Sequence, residues 1–525
     1  MKLRKLIAVQ LRNMFGSGNK KISGTAAILI SFGAMMYLSF FYSYMLYSSL
    51  PENLYDSILR VMVCGGYLLI LIIGVNMAQG TLFGYKDFDL LRSLPITDRD
   101  IVASKLATYI LTVYLYAGFY VIPAMIMYGI YAHPGVLFAV YAVVGYLTMP
   151  ASAVVLSSLI GLFIRTVSAG KKHSELIRNI LSVVMVLVIV FMSTYAGSAN
   201  TASEEMLGTV SGYSHYLVLV SSYVDACVSG RLSSLLIAVG MNILILSLFL
   251  RFISPQIIAA GERGEITWHD RNFRMGRLRG SSPLKALYRK ELQVYLRNFN
   301  YLMNTAVGLI IILVFVIMAL VESVKSGTLF GVPLQTVHMF AEETGYIGLL
   351  FAGMAVHMSC MTGVSISLEG KHLWLTKTLP VREETIFMSK IAVNLTIALI
   401  PMIPAALILG IIMKLPWSYY ILALMHLGMA ALFTAMFGLI INLCFPKLEF
   451  DREIQVIKQS MSSFVTLMSS MVIGIGILVL FVVLFMHGFA SWQVMTAIML
   501  GYVVMDTVLA FILLGWGVKR FRALA

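Results

Sequence analysis

An apolar run of about 20 residues, long enough to cross roughly 30 Å of hydrocarbon as a helix, recurs about twelve times along this chain. Six of these runs fall near residues 25–48, 57–79, 106–131, 136–164, 180–196 and 232–250. Six more fall near 301–321, 345–366, 391–413, 417–443, 464–486 and 494–516. Only 12% of the residues are charged and the mean hydropathy is +0.89, far from the roughly 25% charge of a soluble domain. The expected fold class is therefore an all-α integral membrane protein of about twelve transmembrane helices, placed in the cell membrane as a multi-pass protein.

The second constraint is a duplication. The segment Lys86-Asp87-Phe88-Asp89-Leu90-Leu91-Arg92-Ser93-Leu94-Pro95-Ile96, continuing to Ser104-Lys105, returns 285 residues later as Lys371-His372-Leu373-Trp374-Leu375-Thr376-Lys377-Thr378-Leu379-Pro380-Val381, continuing to Ser389-Lys390. Seven of twenty positions are identical, and at the same offset Arg4-Lys5 matches Arg289-Lys290 and Leu11-Arg12-Asn13 matches Leu296-Arg297-Asn298. Such a period marks a tandem repeat. The expected organisation is a first six-span half at 1–255, a basic cytoplasmic linker at 256–285, and a second six-span half at 286–525. An even number of spans per repeat gives both halves one orientation, so the six-helix repeats are parallel and not inverted.

Charge sets the expected orientation. With the N- and C-termini cytoplasmic, only Arg60, Arg231, Lys325 and Lys414 of the 38 Lys and Arg residues fall on the outer side, a strong positive-inside asymmetry. The formal charge of +14 is then mostly a topology signal, with attraction to the lipid bilayer as a by-product. Nucleic acid is not needed to explain it. The first apolar run follows some twenty residues and lacks a small-residue cleavage site, which reads as a retained span. Cys64, Cys360 and Cys444 lie in spans and Cys227 outside, so no disulfide framework is implied.

No catalytic motif occurs in the loops. A Gly-x4-Gly-Lys-Ser/Thr phosphate loop and a His-Glu-x2-His site are both absent, as is a Gly-x-Ser-x-Gly elbow. Gly170-Lys171-Lys172 lacks the first Gly and the hydroxyl of a phosphate loop. The chain is expected not to be an enzyme, to hold no cofactor and to bind no metal. His357 and Cys360 share a helical face, but one His-x2-Cys pair without further ligands reads as packing.

Two elements of each repeat are patterned for the cytoplasmic surface. Residues 2–15 and 284–299 are amphipathic at helical period, with Arg4, Lys5 and Arg12, and then Arg289, Lys290 and Arg297, on the polar faces. Basic helices of this kind lie in the headgroup region, either as anchors or as shelves against a cytoplasmic partner. The loop between the second and third spans holds a short apolar helix beside Arg92 or Lys377, stopped by Pro95 or Pro380. Thr97-x2-Asp100 is a start signal for the next helix, and Glu383-Glu384 favours a helix N-terminus. Each loop thus reads as a stiff lever with apolar knobs and a cation. Within the spans, Asn242 and Asp506 hold corresponding places in the sixth span of each half. They are candidates for the translocation path or for the contact between halves, with a helix–helix hydrogen bond as the plainer role.

Six spans per half, an amphipathic N-terminal helix and the Leu-Leu-Arg-Ser-Leu-Pro-Ile and Leu-Thr-Lys-Thr-Leu-Pro-Val loops, each followed by Ser-Lys, resemble the permeases of bacterial ATP-binding-cassette exporters of the type 2 class. The resemblance implies that the loop helix docks on the ATPase subunit through Leu90, Leu91, Arg92, Leu94 and Pro95 in the first half. In the second half the same role falls to Leu375, Thr376, Lys377, Leu379 and Pro380. It also implies two ABC ATPase subunits, of one kind or two, that bind ATP and Mg, and short re-entrant helices between spans five and six. Residues 197–230 have room for these, whereas the second half has only about seven residues there. The expected function is a transmembrane permease subunit of an ATP-driven exporter moving a hydrophobic or amphipathic cargo such as a peptide, lipid or drug-like molecule. The alternative is an ion-coupled secondary transporter of twelve spans. It would need intramembrane carboxylates, and its usual Gly-x3-Asp-Arg-x-Gly-Arg loop is not matched by Gly84-Tyr85-Lys86-Asp87.

Overall fold

A computed structural model describes residues 6, 22–82, 95–168, 174–197, 218–263, 280–329, 332–450 and 453–524. Among these, ten helices are long and apolar enough to cross a membrane. Two more, Ile22–Ser49 and Ser174–Gly197, occupy the first and fifth expected spans. The chain divides into two compact units, Met1–Phe273 and Arg274–Ala525. Their boundary lies inside the expected linker, yet both ends of that segment are helical. Ser254–Arg263 buries Ile257 and Ile258 in the first unit, and Pro283–Arg297 opens the second.

The first unit comprises α1 (Ile22–Ser49), α2 (Tyr55–Thr81), α3 (Asp98–Tyr131), α4 (Leu137–Thr148), α5 (Pro150–Ser168), α6 (Ser174–Gly197), α7 (Val218–Ser229), α8 (Leu232–Phe252) and α9 (Ser254–Arg263). The Thr97-x2-Asp100 signal caps α3: Asp100 N donates to Thr97 Oγ1 at 3.2 Å and Thr97 N to Asp100 Oδ2 at 3.4 Å. The fourth expected span is two helices, because Pro150 removes a backbone donor where the ladder would continue. Ser152 N, next inside α5, donates instead to Asn242 Oδ1 at 3.1 Å, and Asn242 Nδ2 donates to Ala238 O at 2.8 Å. Asn242 therefore makes a helix–helix hydrogen bond within its own unit.

Of the expected re-entrant region, the described part is α7. Its 12 residues span only about 18 Å at 1.5 Å per residue, too short to cross a bilayer. It is held by Arg60 Nη2 to Asp225 Oδ1 at 2.6 Å and by Tyr223 OH donating to Ala142 O at 2.8 Å. The Tyr223 ring lies so close to α4 that a Cβ on Gly145 would sit 2.0 Å from it.

The second unit comprises α10 (Pro283–Arg297), α11 (Phe299–Ser326), a two-residue antiparallel pair of β1 (Thr328–Leu329) and β2 (Val332–Pro333), and α12 (Leu334–Met339). It continues through α13 (Ala341–Met358), α14 (Thr362–Ser365), a 3₁₀ turn (Ser367–His372), α15 (Leu373–Lys377), α16 (Glu383–Met413) and α17 (Trp417–Cys444). The last elements are α18 (Ile454–Ile457), α19 (Met461–Met486), α20 (Ser491–Ile512), a π-turn (Leu513–Gly517) and α21 (Val518–Ala523).

The second expected span of this unit, read as continuous over 345–366, is broken at Ser359, Cys360 and Met361, between α13 and α14. Away from water such a break is stable only if neighbours take over the freed backbone groups. Asn394 Oδ1 accepts from Met361 N at 2.9 Å, and Tyr301 OH donates to Met361 O at 2.6 Å. Further on, Asn442 Oδ1 accepts from both Ile366 N (2.8 Å) and Ser367 N (3.1 Å). These asparagines carry the bend.

Two glycines give opposite expectations. Gly145→Ala should destabilise the first unit by about 1–3 kcal/mol through overpacking against Tyr223. Gly240→Ala, where a Cβ meets nothing within 4 Å, should be neutral or stabilising by up to about 1 kcal/mol. Thermal unfolding of the two variants in detergent checks the pair, and equal effects would contradict the close approach of α7.

Candidate functional site

On the side of the second unit that carries the basic residues, one ammonium organises four elements. The Lys390 side chain, near the start of α16, is 0% exposed. Its Nζ lies 2.7 Å from Glu369 Oε1 in the 3₁₀ turn, 3.0 Å from Glu291 Oε1 on α10, and 3.2 Å from Ser365 O of α14. Lys290 Nζ closes the set at 3.4 Å from Glu291 Oε1 and 3.6 Å from Glu369 Oε1, and donates to Thr376 Oγ1 at 3.2 Å. Thr376, on α15, in turn donates to Glu369 Oε2. Two cations and two carboxylates thus neutralise one another. Charge can be buried this deeply only as a paired and hydrogen-bonded set.

The buried face of α10 completes the mounting. Leu287, Glu291 and Tyr295 point inward, and the Tyr295 and Thr305 hydroxyls meet at 2.7 Å. Burial pushes the Tyr295 phenol well above its ordinary value, so it stays neutral. On the opposite face Arg289 and Arg297 are exposed.

The lever itself is fixed from both ends. Gly370 has φ +53° and ψ −131°, and a Cβ there would meet the Phe450 ring at 2.8 Å, so the entry turn needs glycine. Leu373 and Thr376 of α15 face inward. Lys377 Nζ donates to the C-terminal carbonyls of Arg522, at 2.9 Å, and Leu524. Arg522 then forks onto Glu383 at 2.6 and 2.9 Å. That leaves an outward apolar face of Trp374, Leu375 and Leu379, which are 59%, 48% and 43% exposed, with exposed Pro380 beside it.

These positions revise the sequence reading. Leu375, Leu379 and Pro380 stand where a partner can reach them, but Thr376 and Lys377 are consumed in holding α15, because the hydroxyl bonds the buried Glu369 carboxylate and the ammonium bonds the carbonyls of Arg522 and Leu524. Trp374, absent from the sequence-derived set, is the largest exposed side chain of the lever. Glu291 and Glu369 were also missed. The signal for them was a lysine recurring in both repeats one to two turns into a membrane helix, where burial demands a counter-charge.

In the first unit Pro95 is exposed, whereas Leu90, Leu91, Arg92 and Leu94, together with Arg4, Lys5 and Arg12, lie outside the described residues. The repeat remains visible just beyond. Ser104 Oγ donates to Ile101 O at 2.8 Å and Ser389 Oγ to Ile386 O at 2.7 Å, 285 residues apart in both atoms, and Lys105 is buried like Lys390. The acids are not duplicated, since Leu6 and Gly84 stand at the offset positions of Glu291 and Glu369.

Among the polar residues within spans, Asp506 of α20 is 8% exposed. His357 and Cys360 do not act as a pair. The ring of His357 bonds Thr434 and Tyr502, and Cys360 Sγ donates to Thr434 O at 3.3 Å. Among the described residues no three His, Cys, Asp or Glu side chains converge to hold a metal.

The sequence profile of a family described as "Membrane protein of 12 TMs" matches residues 25–514, and the chain belongs to that family. Comparison with curated proteins and with solved structures finds no match.

Lys390→Met leaves Glu291 and Glu369 facing each other without Lys390 and should destabilise the second unit by about 3–5 kcal/mol. A triple variant that also replaces Glu291 and Glu369 with Leu should recover most of that loss. Thermal unfolding in detergent reads both, and an unaffected single variant would contradict the closed charge set.

Proposed function

We propose that this twelve-span membrane protein is the permease subunit of an ATP-driven exporter of hydrophobic or amphipathic cargo, powered by separate ATP-binding-cassette subunits that dock on the cytoplasmic ends of both halves. The observation that carries the reading is the lever of the second unit. It presents Trp374, Leu375 and Leu379 outward, while its inward side is tied through Thr376, Glu369 and Lys390 to the start of α16. A force applied to α15 by a partner is passed to a membrane helix through these bonds. Rigid coupling of this kind suits a two-state rocking of spans driven from outside the chain. Aromatic and aliphatic side chains in a compact exposed cluster are also what a partner's apolar groove would accept as anchors.

ATP and Mg would be held by the partner ATPase, and this chain would supply the path. The cell membrane, with both termini cytoplasmic, is the setting that the distribution of Lys and Arg supports. An ion-coupled secondary transporter is the second reading, favoured by the buried Asp506. Dependence of transport on a proton gradient, with no ATPase partner, distinguishes it.

The test is isolation of the tagged chain from native membranes with an assay of ATP hydrolysis in the purified complex. The wild-type complex should contain an ATPase with a phosphate loop and hydrolyse ATP. Trp374→Asp combined with Leu375→Asp should reduce the associated hydrolysis at least about tenfold, as expected for losing about 1.4 kcal/mol or more at an anchor, while membrane insertion persists. Undiminished hydrolysis and partner recovery in that variant would remove the docking claim.

A further inference from the structure

A second cluster of ionisable groups lies within the spans of the second unit, where three helices meet. Asp506 sits near the middle of the span Ser491–Ala523. Its side chain is buried, and Oδ1 has no hydrogen-bond partner. One turn earlier on the same face is Tyr502. The Tyr502 ring stacks on His357 of α13, with centroids 5.8 Å apart, and meets His426 of α17 edge-on at 5.6 Å. His357 and His426 are each 1% exposed, and neither ring nitrogen of His426 has a partner.

The hydrogen bonds fix who donates. Thr434 spends its one proton on Ala430 O at 2.7 Å, so at 2.8 Å it accepts from His357 Nδ1–H. In the neutral ring Nε2 is then the acceptor, and Tyr502 OH donates to it at 2.6 Å. The phenol is thereby turned toward His357, leaving the carboxyl one turn away uncompensated. The polar groups gathered at Tyr502 are His357 of α13 and His426 of α17, with Thr434 of α17 behind His357. The α19 helix brings no titratable side chain over 461–486, and neither α17 nor α20 contains a Lys or Arg.

A carboxylate in hydrocarbon without a counter-charge is costly and neutralises where it can. With no cation on the surrounding helices and no metal-ligand set among the described residues, the chemistry that fits is a proton. Two irregularities of the backbone flank the cluster. The α13 helix ends at Met358, one residue after His357, and the π-turn Leu513–Gly517 begins seven residues after Asp506. Interrupted helices and π-turns recur at functional sites in membranes and elsewhere.

We propose that Asp506, with Tyr502 one turn away and His357 and His426 packed on that phenol ring, forms a proton-binding site in the membrane interior of the second unit. Asp506 carries the exchangeable proton. Tyr502 and His357 form a hydrogen-bonded chain beside it, which can reverse its donor direction when Nε2 gains a proton and Tyr502 becomes the acceptor. His426, with both nitrogens unpaired, is the second station. The site stands on these groups alone and holds whichever energy source drives the spans.

The experiment is pH-difference infrared spectroscopy of the purified full chain in lipid nanodiscs, scanned over about pH 5 to 9. A protonated-carboxyl carbonyl band should appear on the acidic side and vanish in Asp506→Asn. Its midpoint should move by about tenfold in proton affinity in Tyr502→Phe or His426→Gln, which change the polar surroundings of the carboxyl by about 1.4 kcal/mol between its two protonation states. Mass spectrometry of the unmutated chain after dicyclohexylcarbodiimide treatment, which attacks protonated carboxyls in apolar surroundings, should find the adduct on Asp506 with a yield that falls as pH rises. The absence of any Asp506→Asn-sensitive band, or a band that stays constant across the scan, overturns the proposal. So does an adduct on Asp506 whose yield is independent of pH.

Discussion

The ammonium of Lys390, taken out of water and held between Glu291 and Glu369, is the interaction on which the architecture of this end of the second unit depends. Each of its partners comes from a different element: α10, the 3₁₀ turn and, through Thr376, the short helix α15. Because an unpaired charge at this depth is far more costly than a paired one, the four elements hold together or not at all. The network is therefore better understood as a register device than as a source of stability. It fixes the angle at which Trp374 and Leu375 leave the protein.

The same logic recurs deeper in the spans with neutral groups. Where helices break, at Pro150 and at Ser359 to Met361, an asparagine from a neighbouring helix supplies the missing partner: Asn242 in the first unit and Asn394 in the second. These bends would be untenable in lipid without those amides. Asn242 and Asp506 both lie in the sixth expected span of their halves yet differ in role. Asn242 has a backbone partner at both its oxygen and its nitrogen, whereas Asp506 keeps an oxygen without one. The acids that bury Lys390 are likewise missing from the offset positions near Lys105. The two halves share a plan and diverge in chemistry.

Much of this was legible in the sequence because it is written in local patterns. The length of the apolar runs, the repeat at 285 residues and the Thr97-x2-Asp100 cap all depend on neighbours in the chain. The breaks at Ser359 to Met361 and the closed charge set were not legible, because their partners lie 33 residues away for Asn394 and 99 for Glu291. Lys377 shows the same limit. As a cation on a loop helix it read as a docking residue, but the carbonyls of the C-terminal turn, 145 residues later, claim it. Trp374 was overlooked because its exposure follows from which face of α15 the buried Thr376 selects.

The most direct measurement of the central claim, that force enters through the outward face of α15, is site-specific photo-crosslinking in native membranes. A benzophenone amino acid placed at Leu375 would report what touches the lever. The account predicts one dominant adduct with a subunit containing a Gly-x4-Gly-Lys-Ser/Thr phosphate loop. Adducts confined to lipid, or to a protein without a nucleotide site, would contradict it.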